Sequence, residues 1–151
     1  MKHRTMLILL GLLAALLLSG CAQKTEQAAA GVTIDVSALS AEPTFIPAEY
    51  KGTRMEFIAR MDESGAPRVA LNTCQSCGGS PYAWFEYVGS DTLQCQNCGL
   101  TFPTASVGTP QAAGCNPVTV TDFTVEGGTV SIPATVLAEA APLFKVWKVV
   151  D

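Results

Sequence analysis

The sequence predicts a mainly β domain, β-rich α+β in class, carrying a zinc-ribbon or rubredoxin-like pair of cysteine knuckles and a small C-terminal helix. Three observations predict it. Apolar residues alternate with period two in Met55–Met61, turn-bounded hairpins recur along the chain, and one phrase appears twice, as Cys74-Gln75-Ser76-Cys77-Gly78 and Cys95-Gln96-Asn97-Cys98-Gly99.

The chain opens with the basic stretch Met1-Lys2-His3-Arg4-Thr5, runs apolar from Met6 to Leu18, and reaches Ser19-Gly20-Cys21. The apolar run of 13 residues is short of the roughly 20 that cross a bilayer as a helix. Small residues before a cysteine suit a signal peptidase, so residues 1–20 read as a signal peptide. Leu18-Ser19-Gly20-Cys21 resembles the lipobox of bacterial lipoproteins. That resemblance implies cleavage before Cys21, acylation of its sulfur (palmitate among the chains), and a lipid anchor on the extracytoplasmic face of the cell membrane. Several acyl chains on one residue hold a protein stably where a single chain binds only marginally. The alternative is an ordinary secretory signal that leaves Cys21 as a thiol.

Loss of residues 1–20 removes Lys2, Arg4 and the only histidine, His3, which leaves seven basic and thirteen acidic side chains and a net charge of about −6. No basic patch remains for nucleic acid. A histidine-free chain also lacks Ser-His-Asp and Cys-His nucleophiles, imidazole proton shuttles and imidazole zinc ligands. No catalytic residue is assigned.

Residues Ala22–Gly31 are small and polar without apolar periodicity, so residues 21–31 read as a lipidated flexible tether and residues 32–151 as a single folded domain. That domain has 120 residues, enough for a core of its own. Met55, Phe57, Ala59 and Met61 share one face of a strand; Asp62-Glu63-Ser64-Gly65-Ala66-Pro67 turns the chain; and Arg68–Asn72 returns as a second strand leading into Cys74. Val118–Val125 and Thr129–Ile132 flank Glu126-Gly127-Gly128 as another hairpin. Pro133 opens a short helix over Thr135–Ala141, closed by Pro142, and Phe144–Val150 reads as extended.

The chemistry lies in the cysteines. Besides Cys21 there are five, and four form the repeated phrase with seventeen residues between Cys77 and Cys95. A tetrahedral ion with sulfur at about 2.3 Å holds its thiolates roughly 3.7 Å apart, and a C-x2-C turn delivers two sulfurs at that separation. The expected metal ligands are therefore Cys74, Cys77, Cys95 and Cys98. The glycines Gly78 and Gly99 can take positive φ and let backbone N–H groups approach the charged sulfurs. Three readings stay open: a zinc ribbon, a rubredoxin-like or related iron centre, and two disulfides or a redox dithiol, since spacing does not separate zinc from iron. A thioredoxin-type dithiol needs a helix after its first cysteine, and Gly78-Gly79-Ser80-Pro81 breaks one. Tyr82, Trp84, Phe85, Tyr87 and Phe102 are expected to be buried around the site. The odd cysteine, Cys115 in a turn-rich segment, is either a buried apolar thiol or a fifth sulfur near the metal.

From Cys74 to Pro117 the order of motifs resembles the C-terminal domain of the FtrD-like membrane iron–sulfur family. The likeness lies in Cys74-x-x-Cys77, Tyr82, Leu93-Gln94-Cys95-x-x-Cys98-Gly99, Phe102, Val107-Gly108 and Gly114-Cys115-Asn116-Pro117, with the Met55–Leu71 hairpin ahead of them. The resemblance implies iron rather than zinc, and a part in iron uptake or electron transfer beside iron-transport or redox membrane proteins. Longer family members carry membrane-spanning segments before this domain; here a lipid anchor stands in their place, so no channel role is implied. Five cysteines do not suffice for two ferredoxin clusters. The alternative functions are a structural zinc-ribbon module for partner binding and a thiol–disulfide oxidoreductase.

Overall fold

The computed structural model describes residues 30–112 and 114–150. The signal peptide, Cys21 and all of the tether before Ala30 lie outside the described residues. Among the described residues no helix is long and apolar enough to cross a membrane.

Among the described residues ten strands form three antiparallel sheets. The central sheet orders β2 (Thr44–Tyr50), β3 (Thr53–Met61), β4 (Pro67–Cys74) and β8 (Pro117–Val120) as β2-β3-β4-β8. A second sheet, ordered β1-β10-β9, is built from β1 (Val32–Asp35), β9 (Thr124–Glu126) and β10 (Thr129–Ile132). The third pairs β5 (Phe85–Tyr87), β6 (Thr92–Cys95) and β7 (Thr101–Pro103) in sequence order. Among the described residues a mainly β fold with one short α-helix, α1 (Ala134–Ala140), is what the sequence leads one to expect.

The hairpin β3–β4 forms where the alternation places it, in the register Phe57↔Leu71 and Ala59↔Val69. Its turn is closed by Asp62, whose Oδ1 accepts from the Ser64 and Ala66 N–H groups at 2.9 Å each. β2 escapes the sequence reading because Pro47 interrupts it. As an edge strand it tolerates a missing ladder donor. It reaches β3 through the tight turn Lys51-Gly52, both with positive φ (47° and 81°).

Alternation suggests a strand with one buried face, yet the middle of β3 is buried on both. Met55, Phe57 and Ala59 face a core shared with β1, β10 and α1, through Val130, Ile132, Leu137, Phe144 and Trp147. Ile58 faces a second core with Ala70, Cys74, Ala83, Phe85, Leu93, Cys95, Phe102 and Val107. The central sheet is thus a partition, with the cysteine-bearing sheet on one side.

Two expectations need correction. The apolar run Val118–Val125 is not one strand: β8 stays in the central sheet against β4, and only Thr124–Glu126 pairs with Thr129–Ser131 across Gly127-Gly128. The ending Phe144–Val150 is not extended. It follows a 3-10 turn (Ala141–Phe144) and continues as turns, held by Trp147 N–H to Phe144 O (3.2 Å) and Val149 N–H to Val146 O (3.0 Å). The cause is aromatic burial: Phe144 and Trp147, ring centroids 5.3 Å apart, are drawn into the first core, and the Trp147 indole N–H donates to Asn72 O at 2.8 Å. Trp84, partly buried, packs at the edge of that core.

Candidate metal centre

β4 delivers the first knuckle. Between Leu71 and Cys74 the pairing with β8 shifts register, a bulge that re-aims the strand end. The Cys77 N–H then turns back to donate to Cys74 Sγ at 3.3 Å. β6 ends at Cys95 with the second knuckle, closed by Gly99 N–H to Cys95 O (2.8 Å) and Cys95 N–H to Leu100 O (2.9 Å). Backbone N–H groups of Asn97 and Cys98 approach the Cys95 sulfur, and that of Leu100 the Cys98 sulfur. These are the N–H contacts that a charged thiolate needs.

The glycines divide their work unequally. Gly99 takes φ 74°, as its turn requires. In the first knuckle the positive φ falls one residue later, at Gly79 (88°). Gly78 matters instead for room: a Cβ there would lie 3.2 Å from Cys74 O and 3.5 Å from a Leu143 methyl.

Cys115 arrives on the loop before β8 and is fastened to the first knuckle. Ser76 Oγ donates to Gly114 O at 2.6 Å, and Gln75 N–H donates to Asn116 O at 2.7 Å. The result is a compact nest of sulfurs. The Sγ atoms of Cys74, Cys77, Cys95 and Cys115 all lie within 4.8 Å of one another. Cys98 Sγ lies 3.0 Å from Cys115 Sγ, and Cys74 Sγ 3.3 Å from the same atom. The four cysteines expected as ligands are therefore together with the odd fifth, and Cys115, left open by the sequence, replaces Cys98 in the tightest four. None is in a disulfide.

Burial grades the nest. Cys74 and Cys95 are buried, Cys77 and Cys115 partly so, and Cys98 is exposed. Burial, with the neighbouring Cys74 thiol, pushes Cys77 up to about 12; burial and the surrounding sulfurs raise Cys115 strongly, and burial raises Cys95. Cys98 goes the other way, lowered to about 7 by its Cys115 partner and the Leu100 N–H.

Asn97 is a contributor that sequence reasoning passed over. Ser80 Oγ donates to its Oδ1 at 2.6 Å, which ties the two knuckles together and leaves the amide NH2 to face the Cys77 sulfur. Its only sequence signal was its place between two cysteines. The aromatic wall is smaller than expected. Phe85 (1 % exposed) and Phe102 (4 %) pack beside Cys74 and Cys95, but Tyr82 is 48 % exposed and stacks on Trp84. Tyr82 lies in the turn before β5, which Lys148 N–H reaches through Pro81 O (2.9 Å).

Soft sulfur donors at this spacing can hold one thiophilic ion in a tetrahedral shell, or exchange protons and electrons among themselves. A model of the family described as "Membrane iron-sulfur containing protein FtrD-like" matches residues 39–144. No curated protein and no solved structure matches the chain. The match takes in the central sheet, both knuckles and Cys115, and the chain belongs to the FtrD-like family.

Proposed function

We propose that this chain binds one metal ion, iron in the first place and zinc as its redox-silent counterpart, and serves as an accessory in iron uptake or electron transfer at the outer face of a membrane. The observation that carries the reading is the set of four sulfurs within 4.8 Å of one another. Thiolates suit the iron that the family description names. Their closeness suits a single ion, whose thiolates sit roughly 3.7 Å apart. A sulfide-bridged cluster spreads its terminal thiolates more widely than this quartet, so the residues present fit a single ion better.

A bound ion would supply a one-electron couple if iron, or a fixed cross-link if zinc. The protein's own part is to hold four sulfurs with N–H groups aimed at them and to keep Cys74 and Cys95 dry between Phe85 and Phe102. Attachment to the membrane through acylated Cys21 completes the proposal, supported by Leu18-Ser19-Gly20-Cys21. Elemental analysis and an absorption spectrum of anaerobically purified protein test it. About one equivalent of iron or zinc is expected, with a thiolate-to-iron band that bleaches on reduction if the ion is iron. Protein without metal refutes the reading.

A second reading, a thiol–disulfide exchange centre, is favoured by one observation: exposed Cys98, lowered to about 7, touches Cys115. It requires iodoacetamide to modify Cys98 selectively at neutral pH in protein as isolated. Protection of all five thiols until a chelator is added excludes it.

A further inference from the structure

Five sulfurs in one nest are one more than a tetrahedral ion takes. The arrangement of the surplus is informative. Cys77, Cys95 and Cys115 form with Cys74 the quartet inside 4.8 Å, and Cys98 meets that quartet at Cys115, 3.0 Å away, with Cys95 and Cys77 as its next sulfur neighbours. Cys74 is buried at the end of β4, whereas Cys98 is exposed on the second knuckle.

We propose that the nest is two overlapping four-sulfur shells sharing Cys77, Cys95 and Cys115, an inner one closed by buried Cys74 and an outer one closed by exposed Cys98, between which an ion is exchanged. The proposal rests on the metal-binding reading above and adds to it the route by which the ion enters and leaves. Ligand replacement at a filled tetrahedral shell needs an incoming donor. A fifth thiol already 3.0 Å from a ligand acts at an effective concentration that no dissolved thiol reaches. In the exchange the Cys98 thiol gives up its proton to solvent as its sulfur bonds the ion. The Cys74 sulfur–metal bond breaks and that thiolate takes up a proton. Four thiolates remain on the ion and no oxidation state changes.

The loop geometry supports a moving outer ligand beside a fixed inner set. Cys115 is clamped by Ser76 and Gln75 to the first knuckle, and Cys95 is held in the β6 ladder, paired with Phe85. Cys98 sits at the solvent edge of its turn.

Cobalt(II) is the probe, because its visible spectrum reports how many thiolates it binds. The reduced full chain is loaded without oxygen, and release to excess EDTA is timed. Wild type is expected to take one equivalent with a four-thiolate spectrum. C98S and C74S should each keep that spectrum, since the other closing cysteine remains, and C98S should release cobalt about tenfold more slowly. C115S should lose a thiolate from the spectrum. Circular dichroism checks the fold of each variant, and C98S, at an exposed position, carries the test by itself if a buried variant unfolds. Loss of a thiolate in C98S overturns the proposal in favour of a fixed Cys74, Cys77, Cys95 and Cys98 shell, and an unchanged release rate with the spectrum kept overturns it in favour of a fixed Cys74, Cys77, Cys95 and Cys115 shell. Wild-type protein that takes up no cobalt defeats instead the metal reading beneath it.

Discussion

Asn97 shows what a single residue adds to the knuckles. Its Oδ1 accepts from Ser80 Oγ at 2.6 Å, so its amide hydrogens are free to support negative charge on Cys77, against the burial and the Cys74 sulfur that raise that thiol. Outer partners of metal ligands typically change affinity by roughly 10- to 100-fold, and Asn97 is exposed, which places it at the low end. Asn97→Ala should therefore weaken zinc or cobalt binding about tenfold, read by competition with a chromophoric chelator, while Asn97→Asp should weaken it further by adding like charge beside the thiolates. Equal affinity in both variants would leave Asn97 a mere surface residue. The cysteines of the nest were legible in the sequence, because C-x2-C has only a few geometries. The different jobs of the residues between the cysteines were not. Ser76 reaches Gly114, 38 positions away, and Ser80 reaches Asn97 across 17. The same distance in sequence hid the central place of Cys115, whose position is set by how β8 pairs with β4.

Among the elements, the β3–β4 hairpin was the most legible, since its turn signal and alternation agree with its packing. Asp62 ties that turn: the Ser64 hydroxyl, the Ala66 N–H and the Arg68 side chain (Nε at 2.8 Å) hold its carboxyl far below the ordinary value of 3.8. A carboxyl depressed in the folded state contributes stability that is present above its unfolded value and fades as pH falls below it. Asp62→Ala should thus lower the melting temperature at pH 6, and the gap from wild type should close steadily between about pH 4 and pH 2. A gap independent of pH would assign the effect to packing. On the same hairpin Phe57 is wholly buried in the first core, and Phe57→Ala should cost about 3–5 kcal/mol in urea unfolding with the m-value unchanged. The elements that escaped sequence reading did so for tertiary reasons. β2 is rescued from Pro47 by lying at an edge, and Phe144–Val150 gives up an extended path because two aromatics gain burial by turning inward.

At the scale of the whole molecule, the two cores divide the consequences of removing metal. The first core unites the central sheet, β1, β10 and α1 without any cysteine, so its stability is independent of an ion. The second consists largely of the β5–β6–β7 sheet, with strands of three, four and three residues, and includes Cys74 and Cys95 themselves. Strands so short do not stand alone. Among the described residues their hydrogen-bonded ties to the main body include Cys74 N–H to Ala83 O (3.3 Å), Lys148 N–H to Pro81 O (2.9 Å), the Asn72 side chain to both backbone groups of Phe85 (2.7 and 3.2 Å), and Arg60 to Thr104 O (3.1 Å). An ion bound by both knuckles and Cys115 adds its binding free energy to the closure of this layer. Stripping the metal with a chelator should therefore leave the main body folded, with amide exchange at Phe57 and Val69 unchanged. Exchange across Phe85–Pro103 should quicken by at least an order of magnitude, corresponding to about 1.4 kcal/mol or more of local stability. Mass-resolved hydrogen exchange on protein with and without metal measures both regions at once. Uniform acceleration along the chain would instead make the ion a fastener of the entire fold, as in small zinc domains that are unfolded without it. No change anywhere would mean that the small sheet is held by its apolar residues alone, Phe85, Leu93 and Phe102 against Ile58 and Val107.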